Sequence, residues 1–396
     1  MNQFEQAPVI IFGAGKIARG YIGHLVALAQ MPLCFVDVNE QLVQRLNDRG
    51  RYSVHILGNP AKSMQVTHLV ALHSHDPQVG EGLARAALAF VSVGGPNLPA
   101  VAATLAPGLS ARRAAGAKEL NIICCENWHR PAEGLRQQLE ERLAALPDDR
   151  AYLESHIGIA EATVLRSCIE PTEAQRAADP LAIQAQDYWE LQIDAAALVE
   201  ALPPIPGLKP QANFHAALER KLFTYNAGNA TIAYLGAQRG HKFLSEAATD
   251  PMILEVARGV YQESGAAICA RYGYSAEEQA AYAQQSLHKY QDPKILDPVE
   301  RNVRDPWRKL GRHDRLIGPA CLALEYGLQP YHLALAIAAA LKYKHAQDPS
   351  AVRLQRMIAD EGLDAVFQKV CGIEPGGVLA RLVTERLPEV AAFAQH

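Results

Sequence analysis

Two stretches of the chain carry residue types at spacings suited to chemistry. The first is Gly13-Ala14-Gly15-Lys16-Ile17-Ala18, a G-x-G-x-x-A pattern directly after the apolar run Val9-Ile10-Ile11-Phe12. In such a pattern the first glycine permits a tight turn and the second lets the main chain approach a pyrophosphate. The small third residue allows close helix–sheet packing, and the free N–H groups at the helix start hold phosphate oxygens. Gly13, Ala14, Gly15, Lys16 and Ile17 are therefore candidate dinucleotide contacts. Asp37 closes the next apolar run, Leu33 to Val36, with Val38 beside it. A carboxylate there accepts hydrogen bonds from ribose hydroxyls and repels a 2′-phosphate, which favours NAD over NADP.

The second stretch is Glu219-Arg220-Lys221-Leu222-Phe223-Thr224-Tyr225-Asn226-Ala227-Gly228-Asn229. On a helix, Lys221 and Asn226 are five apart and fall on adjacent faces, while Asn226 and Asn229 are i, i+3 neighbours. Leu222, Phe223 and Tyr225 surround the lysine with apolar surface. Desolvation disfavours an ammonium ion and brings its pKa towards the range of a general base. Spacing alone does not separate this lysine from an ordinary solvated one. Two loops follow strand-like runs in the first half: Gly94-Gly95-Pro96-Asn97 after Phe90 to Val93, and Glu126-Asn127-Trp128-His129-Arg130 after Leu120 to Cys125. At the carboxyl edge of a parallel sheet, Gly94 either lines the nicotinamide ribose or simply closes a loop. Asn127 there can hydrogen-bond cofactor or substrate.

The elements that position these residues are legible in outline. At 396 residues the chain exceeds the size of one core, and two domains are expected, 1–200 and 201–396. In the first, apolar runs at Val9–Phe12, Leu33–Val36, Leu88–Val93 and Leu120–Cys124 alternate with helical patterns, the signature of a doubly wound Rossmann-type sheet. Pro203-Pro204-Ile205-Pro206-Gly207 punctuates the chain as a domain junction. Beyond it, Ala212–Leu235, Leu254–Tyr272, Ala276–Tyr290, Leu333–Lys344 and Ala351–Val370 predict a mostly α-helical second domain that holds the substrate and catalytic groups.

Bulk properties narrow the function. Hydrophobic residues make up 49% and charged residues 20%, with a formal charge of −4. That balance argues against a nucleic-acid or membrane-surface partner. An apolar strand begins within the first ten residues with no basic segment before it, so no secretory leader is expected and the cytoplasm is the expected compartment. The seven cysteines (34, 124, 125, 168, 269, 321 and 371) form no C-x-x-C pair, and no metal site is expected. The expected partner is a small molecule, bound by a monomer or small homo-oligomer.

Taken in order, Gly13 to Gly20, Phe35 to Asn39, Cys125 to Asn127, Ile205 to Gly207, Glu219 to Tyr225, Ala233 to Gly236, Glu263 to Gly265, Arg271 to Gly273, Arg304 to Leu310 and Asp314 to Ile317 resemble the polyol-specific long-chain dehydrogenases. The resemblance covers nearly the whole chain and is nearest to the branch that acts on mannitol 1-phosphate. It implies NAD-dependent, metal-independent oxidation of a sugar alcohol or its phosphate. Lys221 would be the general base and Asn226 would hold the developing alkoxide. Glu126 or Asn127 would support the proton path or the cofactor. Arg301, Arg304, Arg308 and Lys309, with Arg312, form a basic cluster that either binds a phosphate or carboxylate or serves as a solvated face. Two positions depart from the family pattern. Asn229 stands where the family motif ends in His, and Leu165 where the phosphate-sugar branch carries an acid. An amide at 229 can position a substrate but cannot titrate. Two other functions stay open: reduction of a keto-sugar acid on the same fold, and NAD sensing without catalysis.

Overall fold

The computed structural model describes residues 7–128 and 130–394. Compact packing divides the chain into two units, Met1–Ala217 and Leu218–His396.

The first unit is built on an eight-stranded sheet. Its strands are β1 (Val9–Phe12), β2 (Leu33–Asp37), β5 (Leu69–His73), β6 (Leu88–Val91), β7 (Leu120–Cys124), β8 (Ile157–Thr163), β11 (Leu191–Asp194) and β12 (Leu208–Gln211), in the order β12-β11-β8-β7-β6-β1-β2-β5. The six strands from β5 to β8 run parallel, with Val9 level with both Leu33 and Leu88. Every residue of β1, β6 and β7 is buried, because helices cover both faces of the sheet. Neighbouring strands then turn alternate side chains into two separate cores: Ile11, Phe35 and Phe90 on one face, Ile10, Cys34 and Ala89 on the other. Strand β11 pairs antiparallel to β8, and β12 extends that edge. This edge lies on both sides of Pro203–Gly207, which is why the compact unit runs past the proline-rich junction.

A second sheet was not foreseen. Strands β3 (Tyr52–Ile56), β4 (Met64–Val66), β9 (Cys168–Ile169) and β10 (Ile183–Ala185) form it in the order β4-β3-β10-β9. Three of the four are no longer than three residues, too short to show a period of two.

The second unit is helical. Its central helix, Ala227–Gln238, has Ala227, Gly228 and every residue from Ala230 to Gly236 buried, as expected for a helix apolar on all sides. Around it pack Pro251–Tyr272, Tyr331–Lys342 and the shorter Val299–Val303. Asp250 caps the first of these by accepting from the N–H groups of Met252 and Ile253. The helix Ala276–Gln291 is capped by Ser275 and packs on the turn just after Lys221. No described helix is long and apolar enough to cross a membrane.

Candidate active site

At the carboxyl end of β1 the chain turns at Gly13 with φ +92°. A Cβ there would stand 2.2 Å from the carbonyl oxygen of Ser92, so only glycine permits this approach to the loop after β6. Gly15 shows the opposite: nothing lies within 4 Å of where its Cβ would stand. Its backbone faces open space at the start of a helix, the cradle that a pyrophosphate needs and a side chain would fill. Asp37 is held in place by the main chain. Its Oδ2 accepts from the Ala14 N–H at 2.6 Å and its Oδ1 from the Asn39 N–H at 2.9 Å. Each oxygen keeps a further lone pair for a ribose hydroxyl. Val38, 70% exposed, offers apolar surface beside it, and the exposed Lys16 bonds to Glu170 at 3.0 Å. These residues fit a dinucleotide.

The loops after β6 and β7 are tied to each other by Glu126. Its Oε1 accepts from the N–H of Val93 (2.6 Å) and Gly94 (3.0 Å), and Oε2 accepts from Gly94 (3.0 Å). Burial raises the pKa of this carboxyl, and the two backbone donors oppose the rise. Glu126 thus joins two loops through main-chain bonds, a task that its residue type did not reveal. Gly94 (φ +86°) and Asn127 are both exposed on these loops, and Trp128 packs its ring against Gly95. His129 lies outside the described residues. Leu165, where the family resemblance implies an acid, is buried.

Helix Phe214–Lys221, which runs across the boundary at Leu218, does not continue regularly into Ala227–Gln238. Between them, Leu222–Asn226 forms a single π turn, in which the Ala227 N–H reaches back to the Leu222 carbonyl. This changes the relation between the two candidate residues. In a regular α-helix, residues five apart are rotated by about 140°, further than the adjacent faces expected from spacing. A π turn bonds i to i+5, so Asn226 sits one turn above Lys221. Lys221 itself is 7% exposed. Burial, followed by repulsion from Lys289 and Arg315, lowers its pKa to about 7.

Asn229, one turn further on, donates from Nδ2 to Asn302 Oδ1 at 3.1 Å. Asn302 donates in turn to Asp297 Oδ1 (2.7 Å) and the Pro298 carbonyl (2.9 Å), and its own carbonyl accepts from Lys309 Nζ. Lys309 is a second buried lysine, and burial, then Arg315 and Arg308, bring its pKa to about 7 as well. Arg315 acts on both lysines and is fixed by Asp314 at 2.7 Å. Nothing in its type or spacing distinguished it.

The rest of the basic cluster is compensated. Arg301 makes two bonds to Asp297 (3.0 and 2.8 Å), Arg304 reaches Glu300 at 3.5 Å, and Arg308 holds Asp305 (2.8 Å) and Asp314 (3.2 Å). All three are more than half exposed. Arg312 turns to the Cys321 sulfur. Among the described residues, no three His, Cys, Asp or Glu side chains are grouped to hold a metal.

A dinucleotide cradle on a parallel sheet, followed by a helical unit that buries a near-neutral lysine beside amides, defines a two-domain oxidoreductase. The mannitol dehydrogenase Rossmann domain model matches residues 7–207 and the mannitol dehydrogenase C-terminal domain model matches residues 213–387. The chain belongs to the mannitol dehydrogenase family. Two solved structures share the fold over all of this chain. One is Pseudomonas fluorescens mannitol 2-dehydrogenase in ternary complex with NAD and D-mannitol, with 16% identity, TM-score 0.77 and 95% of that chain covered. The other is a D-sorbitol dehydrogenase in substrate-free form, with 15% identity, TM-score 0.81 and 96% covered.

The low pKa of Lys221 has a consequence for stability. Between about pH 7 and its ordinary value of 10.5, the unfolded chain binds a proton here that the folded chain does not. Stability therefore rises with pH across that window. Lys221→Met should melt above the wild type at pH 6.5, and the gap should shrink steadily towards pH 10. A gap independent of pH in a thermal melt series would show that the ammonium is well solvated.

Proposed function

We propose that the protein oxidises a sugar alcohol or sugar-alcohol phosphate to the ketose with NAD, using Lys221 as the general base and no metal. What supports this reading is a buried lysine whose pKa burial lowers to about 7, followed by Asn226 at the end of a π turn. A polyol hydroxyl is a very weak acid, so its carbon cannot release hydride until a base begins to take the proton. Neutral Lys221 takes that proton at Nζ. Asn226 donates a hydrogen bond to the oxygen as negative charge develops on it, a stabilisation greater in the transition state than in the ground state. Asn229, held by Asn302, positions a hydroxyl without titrating. NAD, when bound by Gly13 to Ile17, Asp37, Val38, Gly94 and Asn127, supplies the hydride acceptor.

The substrate is proposed to be mannitol 1-phosphate-like. A phosphate requires a cation, and Lys309, the member of the cluster that donates to a main-chain carbonyl rather than a carboxylate, would supply one in its protonated form, which a nearby phosphate would favour. The pairing of Arg301, Arg304 and Arg308 with acids favours a second reading, an uncharged hexitol. A keto-sugar acid would call on the same cations.

Lys221→Ala should lower kcat by about 10²–10⁴ while NAD affinity is retained. In the wild type, kcat/KM for oxidation should rise with pH and level off above about 7, and the reverse reduction should fall over the same range, because it needs the ammonium form. Near wild-type turnover of a confirmed substrate by Lys221→Ala would sink the mechanism.

Asp37 sets cofactor choice. A 2′-phosphate against its carboxylate should cost more than ~1.4 kcal/mol, so kcat/KM with NAD should exceed that with NADP by well over tenfold. Comparable values would remove Asp37 from the ribose.

Lys309→Met distinguishes the two substrate readings. For a phosphorylated substrate, KM for mannitol 1-phosphate should rise by far more than KM for mannitol. Equal effects on both would favour the uncharged hexitol.

A further inference from the structure

The π turn that aligns Lys221 with Asn226 is bound along one side by helix Ala276–Gln291. Three side chains of that helix reach consecutive residues of the turn. Gln279 Nε2 donates to Thr224 Oγ1 at 2.9 Å, Gln285 Oε1 accepts from the Tyr225 hydroxyl at 3.1 Å, and the Tyr290 hydroxyl donates to the Tyr225 carbonyl at 2.8 Å. Gln279 and Tyr290 are buried, at 3% and 8% exposure. Just before the turn, the Arg220 guanidinium stacks between the rings of Tyr274 (4.1 Å) and Tyr282 (4.3 Å) and bonds to Glu278 and Gln279, both at 2.8 Å. Just after it, Gly228 leaves space that the Tyr261 hydroxyl fills, and that hydroxyl is bonded to Ser286 of the same helix at 2.9 Å.

A π turn is wider than an α turn and is rarely stable on its own sequence. Leu222–Asn226 contains no glycine or proline that would enforce it. The bonds that select it come from outside.

We propose that Tyr290 is a positioning residue for the reaction: its hydroxyl, with Gln279 and Gln285, clamps the turn in its π form and so fixes where Asn226 stands relative to Lys221. The clamp rests on the reading of Lys221 as base, but its structural half does not depend on it. Without the hydroxyl, the turn relaxes towards α-helical pitch and Asn226 rotates away from the lysine. Misplacement of about 1 Å between catalytic groups costs up to about a hundredfold in rate.

The test is Tyr290→Phe in the full chain, which keeps the ring and removes one oxygen, alongside Gln285→Met, which removes the partner of the Tyr225 hydroxyl. Two readouts are taken. The first is steady-state kinetics with NAD and the polyol that the wild type turns over. The expected result is a kcat lowered about tenfold to a hundredfold. KM for NAD should be unchanged, and the inflection of the pH profile should move upwards as water reaches Lys221. The second is amide hydrogen exchange, with faster exchange expected over 222–227 while Pro251–Tyr272 keeps its protection. Wild-type kcat and pH profile together with unchanged exchange in both variants would overturn the clamp, whatever Lys221→Ala does. If Lys221→Ala stays active while 222–227 exchanges faster in Tyr290→Phe, the clamp on the turn stands. The base has then been misassigned.

Discussion

An ammonium ion surrendered to an apolar interior is the constraint around which the second unit is organised. Lys221 is buried, and the nearby positive charges of Lys289 and Arg315 repel its ammonium form. The favourable response is to give up the proton more readily, which lowers its pKa to about 7. Holding such a group in place requires rigidity from elsewhere. The central helix supplies it by being buried on nearly every side, and the aromatic stack on Arg220 fixes the residue next in sequence. Lys309 lives under the same field through Arg315. The unit thus keeps two near-neutral amines in one electrostatic environment, linked through Asn302 and Asn229.

The first unit solves a different problem, the presentation of main-chain donors. Its parallel core is buried on both faces, so its polar functions are confined to the loops at the carboxyl edge. Two carboxylates hold those loops through backbone N–H groups: Asp37 braces the glycine turn and Glu126 joins the loops after β6 and β7. Neither needs a basic partner for this, because each accepts two or more N–H bonds.

The parts of the fold that were legible were those with strong local signals. Strands β1, β2, β6 and β7 are uninterrupted apolar runs, and Gly13-Ala14-Gly15 directly follows one of them. The ends of the long helices fall within a few residues of their Ala- and Leu-rich segments, but Ala351–Val370 is two helices that meet at a kink at Gly362 (φ +84°), and Ala212–Leu235 is interrupted by the π turn. Strand β8, Ile157–Thr163, carries a glycine and a glutamate and does not stand out, and β9 and β10 are too short to show any pattern. Lys221 entered through family resemblance, since its neighbours alone permit either a buried or a solvated side chain. The compensation of the basic cluster is legible in the spacing: Asp297 and Glu300 stand four residues before Arg301 and Arg304, and Asp305 three before Arg308, the spacings of helical ion pairs. Arg315 had no such signal, because its effect on both lysines depends on tertiary approach.

The π turn also has a meaning in terms of chain length. A helix with one wide turn holds one residue more than its regular pitch accommodates, so Leu222–Asn226 amounts to a single-residue insertion that the helix has absorbed without breaking. The register of everything after it, from Ala227 through the buried central helix, is offset by about 100° from what an uninterrupted α-helix would give. Deleting any one residue of the five would allow an unbroken helix to close. Because the deletion removes the same ~100° that the wide turn absorbs, such a helix would keep both Lys221 and the apolar surface of Ala227–Gly236 facing their present neighbours and would lose only the widened turn itself. Within the turn, residue count and rotational phase are therefore the same quantity: the extra residue is stored there without turning the helix that follows.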